Sequence, residues 1–231
     1  MRLRELARQP YAWALGLCVT IHVLGVLVAP NFWLRLADKE SVFEHLGHAV
    51  LAIACVVWLL VSLGTRRGAL VVAWLMSAYL LFCLLEEIDW GEVYGIDLGY
   101  SQMEKWTGGS PNLHNARGLE HTAFGWSLPW MSAPMLAYFA SGLVPRPRLG
   151  TLATVLSTRA ETFWFTVTVL VSAAFDGLHL LHWRLGYVPR APAGGSLGDA
   201  LGWFQIAFYL LWVLVGLRIQ RELRATKPVS V

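Results

Sequence analysis

The stretch ALVVAWLMSAYLLFCLLEEIDWGEVYG, Ala69 to Gly95, decides the fold. Seventeen uncharged, mostly apolar residues, Ala69 to Leu85, run straight into Glu86, Glu87, Asp89 and Glu92. A helix over that run comes close to the ~30 Å of a hydrocarbon core. The four carboxylates at its end repel one another and resist burial. Water, a cation or a catalytic task has to compensate them.

Working outward, the same pattern recurs. Uncharged runs lie at Tyr11–Pro30, His45–Gly64, His121–Pro145, Thr162–Phe175 and Ala200–Leu217. The fifth of the six runs is short, and becomes long enough if Asp176 to Trp183 continue the same helix. Of the 231 residues 56% are hydrophobic and only 14% charged. A soluble domain of this size carries about twice that charge. The expectation is an all-α, polytopic membrane protein of six transmembrane helices, over about 11–30, 42–64, 69–88, 121–144, 160–183 and 200–219. Residues 1–231 form a single transmembrane domain on this reading, with 89–120 as an extracytoplasmic loop. The sequence shows no internal repeat and no low-complexity tract.

Basic residues set the expected orientation. With a cytoplasmic N-terminus, the inside segments hold Arg2, Arg4, Arg8, Arg66, Arg67, Arg146, Arg148, Arg159, Arg218, Arg221, Arg224 and Lys227. The outside segments hold only Arg35, Lys39, Lys105, Arg117, Arg184 and Arg190. This bias predicts a multi-pass inner-membrane protein with both termini cytoplasmic. The first helix is too long for a removed signal peptide and lacks a small-residue cleavage site, so it reads as a retained anchor. The net charge of +3 is then mostly topology. Arginines that flank helices without interleaved aromatics exclude a nucleic-acid partner. Cys18, Cys55 and Cys83 fall inside expected helices and read as packing residues. Several of the twelve Trp, among them Trp90 and Trp106, fit interfacial belts.

On this topology the ionisable residues gather at the outer leaflet. Glu44, His45 and His48 open the second helix, Glu86, Glu87 and Asp89 close the third, and His114 sits in "NLHN" of the outer loop. Glu120 and His121 precede the fourth helix, and "FDGLHLLHW" ends the fifth with Asp176, His179 and His182. Glu44 and His48 are i, i+4 neighbours; Asp176 and His179, and His179 and His182, are i, i+3 neighbours. Bundles build metal sites from carboxylates and imidazoles at such spacings on facing helices. This donor set suits zinc, iron or manganese. No standard short motif is present: "EHLGH" is not H-E-x-x-H, and "HLLH" lacks the i, i+4 spacing of a zincin pair.

Other polar residues read more plainly. His22, alone on an apolar helix, reads as a hydrogen-bonded core histidine, and His45 as interfacial. Glu92, Asp97, Glu104 and Lys105 read as solvated loop charges. Ionisable groups inside membrane segments cost ~2.5–3.5 kcal/mol near the centre and usually face a functional interior. Glu44, Glu87, His114, Asp176, His179 and His182 fit that description.

"EEIDWGEVYG" followed by "NLHN" resembles the signature of a group of uncharacterised bacterial integral membrane proteins, E-E-I-S-W-G-Q-R and then N-L-H-N. Upstream, "LADKESVFEHLGHAVLAIACVVWLL" is similar to that group's acidic turn and Glu-opened helix. The resemblance spans Asp38 to Asn115 and maps Glu86, Glu87, Trp90, Gly91, Gly95, Asn112, His114 and Asn115 onto the signature. Asp89 stands where the group has Ser and Glu92 where it has Gln, and there are extra residues around "WTGGSP". The group supplies no activity; the resemblance implies only that the paired Glu and His114 act together. A weaker similarity links "IDWGEVY" to the D-W-x-E stretch of alkaline ceramidases, which are membrane zinc amidases, although the order of the remaining motifs differs.

The function expected is a membrane metal-dependent enzyme at the extracytoplasmic leaflet, hydrolysing a lipid ester or amide. Glu44, His48, His114, Asp176, His179 and His182 are the candidate ligands of a divalent metal, zinc or alternatively iron. Glu86 and Glu87 are the candidate catalytic residues, one of them serving as general base. Two alternatives stay open. One is a diiron lipid hydroxylase or desaturase, against which stands the lack of a repeated Glu-x-x-His. The other is a non-enzymatic haem- or pigment-binding or ion-translocating subunit.

Overall fold

The computed structural model describes residues 9–28, 42–65, 68–107, 109–110, 127–184 and 198–225, without the side chains of 26, 127–132, 175–184 and 198–205. Every regular element among these residues is helical. In order they are α1 (Pro10–Val28), α2 (Val42–Gly64), α3 (Ala69–Glu87), α4 (Tyr100–Thr107), α5 (Ser127–Ala140), α6 (Arg146–Leu149), α7 (Arg159–Arg184) and α8 (Gly198–Ala225). Short 3₁₀ segments at Asp89–Tyr94, Ser141–Leu143 and Gly150–Thr154 join them.

The expected bounds differ from the structure at three places, each for a local reason. The helix expected over 121–144 has α5 at Ser127–Ala140, then tightens into a 3₁₀ turn at Ser141–Leu143; residues 121–126 lie outside the described residues. The turn ends where Val144 turns extended (φ −74°, ψ 133°) ahead of Pro145, because a residue before proline is driven out of the helical region. The last helix was expected to stop with its apolar run near 219. Instead α8 continues to Ala225 through arginine, glutamate and leucine, all good helix formers. The loop expected over 89–120 contains a 3₁₀ segment and α4.

Among the described residues two helices, α2 and α3, are long and apolar enough to cross a membrane, and only 39% of each apolar segment is buried. The core helix of a soluble protein would bury far more. Ile53, Val56, Leu60 and Leu63 form an exposed stripe on α2, and Trp13, Leu17, Leu24 and Leu27 another on α1. Their spacings of three, four and seven residues mark single helical faces.

The chain forms two compact units, one of residues 1–54 and 159–217, the other of 55–158 and 218–231. The first unit packs Leu15 and Cys18 of α1, Phe43 of α2, and Ile206 and Ala207 of α8 into one core, with Trp164, Val167 and Val171 of α7 against it. Trp164 also donates its indole N–H to the side-chain oxygen of Gln9 at 3.1 Å. In the second unit Trp58 is fully buried and meets Tyr138 edge-on at 5.6 Å. The Tyr138 hydroxyl donates to the carbonyl of Val155 at 3.0 Å. Ser62 of α2 and Ser77 of α3 share a buried hydrogen bond at 2.7 Å. Such small-residue contacts let two apolar helices approach closely, and one interhelical bond contributes roughly 0.6 kcal/mol in a membrane.

Candidate functional site

Helix α3 delivers the paired glutamates because its buried stripe, Ala69, Ala73, Met76, Ser77, Leu80 and Cys83, continues by helical spacing onto Glu86. Glu86 is therefore a buried carboxylate, with 1% of its surface exposed. A carboxyl group so placed requires hydrogen bonds. One comes from Trp90, whose indole N–H donates to Glu86 Oε1 at 2.8 Å. Glu87, on the adjacent face, is half-buried. Asp89 is buried, with 8% exposed.

The backbone beyond the helix is strained where it presents Trp90 to that bond. Asp89 (φ 50°), Trp90 (φ 51°) and Gly91 (φ 102°) adopt left-handed conformations in succession. For a residue with a Cβ this costs roughly 1–2 kcal/mol. Gly91 is required, since a Cβ there would stand 2.0 Å from the carbonyl oxygen of Ile96. The chain then doubles back: the N–H of Ile96 donates to the carbonyl of Gly91 at 3.0 Å and that of Leu98 to the carbonyl of Trp90 at 2.9 Å. The Trp90 ring is held between Phe82, edge-on at 6.4 Å, and Gly99, where a Cβ would lie 3.2 Å from the indole. Backbone strain that surrounds a buried ionisable group is characteristic of functional sites.

The segment that follows is built by Asp97. Its carboxylate accepts the N–H of Gly99 at 2.8 Å and the hydroxyl of Ser101 at 2.7 Å. The Ser101 hydroxyl, and then the Gly99 amide, hold this carboxyl below the usual aspartate range. Asp97 thus starts α4, and is more than the solvated loop charge that composition implies.

The remaining candidates fall elsewhere. Glu44 and His48 belong to the first unit, in the opening turns of α2, where Glu44 is half-buried and His48 is 4% exposed. His45 is exposed and meets the His48 ring edge-on at 5.9 Å. α8 lies against this turn: a Cβ at Gly47 would sit in ordinary contact with the Tyr209 ring, at 3.6 Å. His22 is half-buried on α1. Asp176, His179 and His182 occupy the last turns of α7, with side chains outside the described set; His114, Glu120 and His121 lie outside the described residues altogether. Among the described residues no three His, Cys, Asp or Glu side chains are grouped as a metal site.

The feature that sequence reasoning missed is the pairing of Trp90 with Glu86. The i, i+4 spacing was visible, but nothing in it shows the left-handed turn that brings an indole back onto the helix end. Comparison with family models, with curated proteins and with solved structures finds no match. The fold and site therefore define a class only: an all-helical chain with two described helices able to cross a membrane, and a buried carboxylate clamped at the end of one of them.

Proposed function

We propose that the protein is an integral membrane metal-dependent enzyme of the bacterial inner membrane, six helices with both termini cytoplasmic, hydrolysing a lipid ester or amide at the extracytoplasmic leaflet. The observation that carries this reading is the carboxylate clamp. Glu86 is buried at the end of an apolar helix, bound by Trp90, and followed by two strained non-glycine residues. Such an arrangement is costly, and intramembrane ionisable groups usually serve a function. The exposed apolar stripes support lipid as the surroundings.

On this reading Glu44, His48, His114, Asp176, His179 and His182 supply the donors for one divalent metal, zinc rather than iron. Imidazole and carboxylate donors fit it, and when bound it supplies Lewis-acid activation. The protein's part is proton handling. Glu87, half-buried beside the fixed Glu86, accepts the proton of the attacking water. Trp90 orients Glu86 through its indole N–H.

The test is metal analysis of the purified full-length chain. Zinc is expected at stoichiometric level, and His179→Ala and His182→Ala are expected to remove it while the protein still inserts. Glu87→Gln is expected to keep metal and lose about 10²–10⁴-fold in turnover. Paired iron or haem absorbance would favour the alternatives, and full metal content in the doubly substituted protein would overturn the reading.

A further inference from the structure

One end of the second unit is assembled by arginine. Arg218 of α8 donates from Nη1 to the carbonyl of Thr154 at 2.9 Å and from Nη2 to that of Leu156 at 3.0 Å. Its charge is met by Glu222 at 3.3 Å. Arg146 donates from Nη1 to the carbonyl of Ala153. The end of α2 belongs here too, since a Cβ at Gly64 would lie 3.6 Å from Leu223. The segment 143–156, the close of α2 and the close of α8 therefore share one end.

That end carries charge in excess of its own needs. Arg146, Arg148, Arg221 and Arg224 are exposed. No Asp or Glu occurs between His121 and Ala160, and Glu222 is already engaged by Arg218. Beside the arginines, Leu143 is 65% and Val144 39% exposed. An apolar step next to a fork of guanidinium groups matches the boundary between acyl chains and phosphates. Arg146 uses one N–H on Ala153, and a guanidinium has five.

We propose that this face is a binding site for the phosphate headgroups of anionic phospholipid, with Arg148, Arg221 and Arg224 as headgroup ligands and Leu143 and Val144 at the acyl boundary. The inference rests on the membrane reading above. Guanidinium binds phosphate in bidentate fashion, and each basic residue near an anionic surface strengthens binding roughly fivefold. The site deepens the account of the protein by giving it a lipid preference independent of any metal.

The full-length protein, purified in an uncharged detergent, is titrated with phosphatidylglycerol, with phosphatidylcholine and with inorganic phosphate, and retained lipid is counted by native mass spectrometry. Phosphatidylglycerol is expected to be held preferentially. The Arg148→Gln, Arg221→Gln, Arg224→Gln protein is expected to lose more than tenfold of that preference with phosphatidylcholine unchanged. These three are chosen because Arg146 and Arg218 hold the fold, and unaltered thermal melting of the triple variant checks that it remains folded. An undiminished preference in the triple variant, no preference in the native protein, or equal affinity for inorganic phosphate would each overturn the proposal. Release of the native chain from membranes by alkaline carbonate would overturn the membrane reading itself, which the lipid titration alone does not.

Discussion

Trp90 reads as an interfacial belt residue from sequence, and its structural environment gives it a second task. Its N–H is the donor to a carboxylate that water barely reaches. Trp90→Phe keeps the ring between Phe82 and Gly99 but removes the donor. Losing one hydrogen bond to a buried carboxylate costs about 1–3 kcal/mol, so thermal melting of the purified protein is expected to fall. Trp90→Phe made in a Glu86→Leu background is expected to cost much less, because no carboxylate then remains to be satisfied. Equal losses in both backgrounds would show that the indole contributes by packing alone. The sequence marks Glu86 and Glu87 as a candidate pair without saying which is buried; the buried stripe of α3 decides that by continuing onto Glu86. The left-handed run at Asp89 and Trp90 was not legible, because two consecutive non-glycine residues rarely adopt that conformation, although aspartate alone tolerates it. The reversal that contains it brings Gly91 against the carbonyl of Ile96, where no Cβ fits.

At the level of elements, apolar runs announce helices well and their ends badly. The all-helical class followed from hydropathy, because a backbone in lipid must satisfy its own hydrogen bonds. Helix α8 outran its expected end, since arginine and glutamate end an apolar run without breaking a helix. Helix α4 was invisible for the opposite reason: YSQMEKWT is polar and short, and its start depends on Asp97, with left-handed Gly95 and Gly99 on either side. That dependence predicts a pH effect. The Asp97 carboxyl is held below its ordinary value in the folded state. Its contribution is therefore complete above the ordinary aspartate range and is lost as pH falls through the folded value. Amide exchange at Gln102 and Met103, whose N–H groups donate to the carbonyl of Gly99, is expected to accelerate across that acidic window. In Asp97→Ala it is expected to be fast already at neutral pH. Protection at Gln102 that ignores both pH and the substitution would refute the cap.

For the whole molecule the decisive quantity is topology. If both termini are cytoplasmic, as proposed, reporter fusions after Arg67, Arg148 and the C-terminus are expected to report cytoplasm, and one near Gly109 the outside. A cytoplasmic signal at Gly109 would turn the carboxylate clamp toward the cell interior and the arginine-built end toward the periplasm, against the charge rule. Of the candidate site, the sequence made legible the residue types and their helical spacing. It could not show that Glu86 is the clamped member of its pair, since the clamp is made by the chain's reversal between Trp90 and Leu98.

Helix α8 carries one more implication. Its uncharged run, Ala200 to Leu217, is about 27 Å long as a helix, and the charged turns from Arg218 to Ala225 extend it as a handle. Arg218 fastens that handle to Thr154 and Leu156. Turning or sliding the handle would therefore carry those two residues with it.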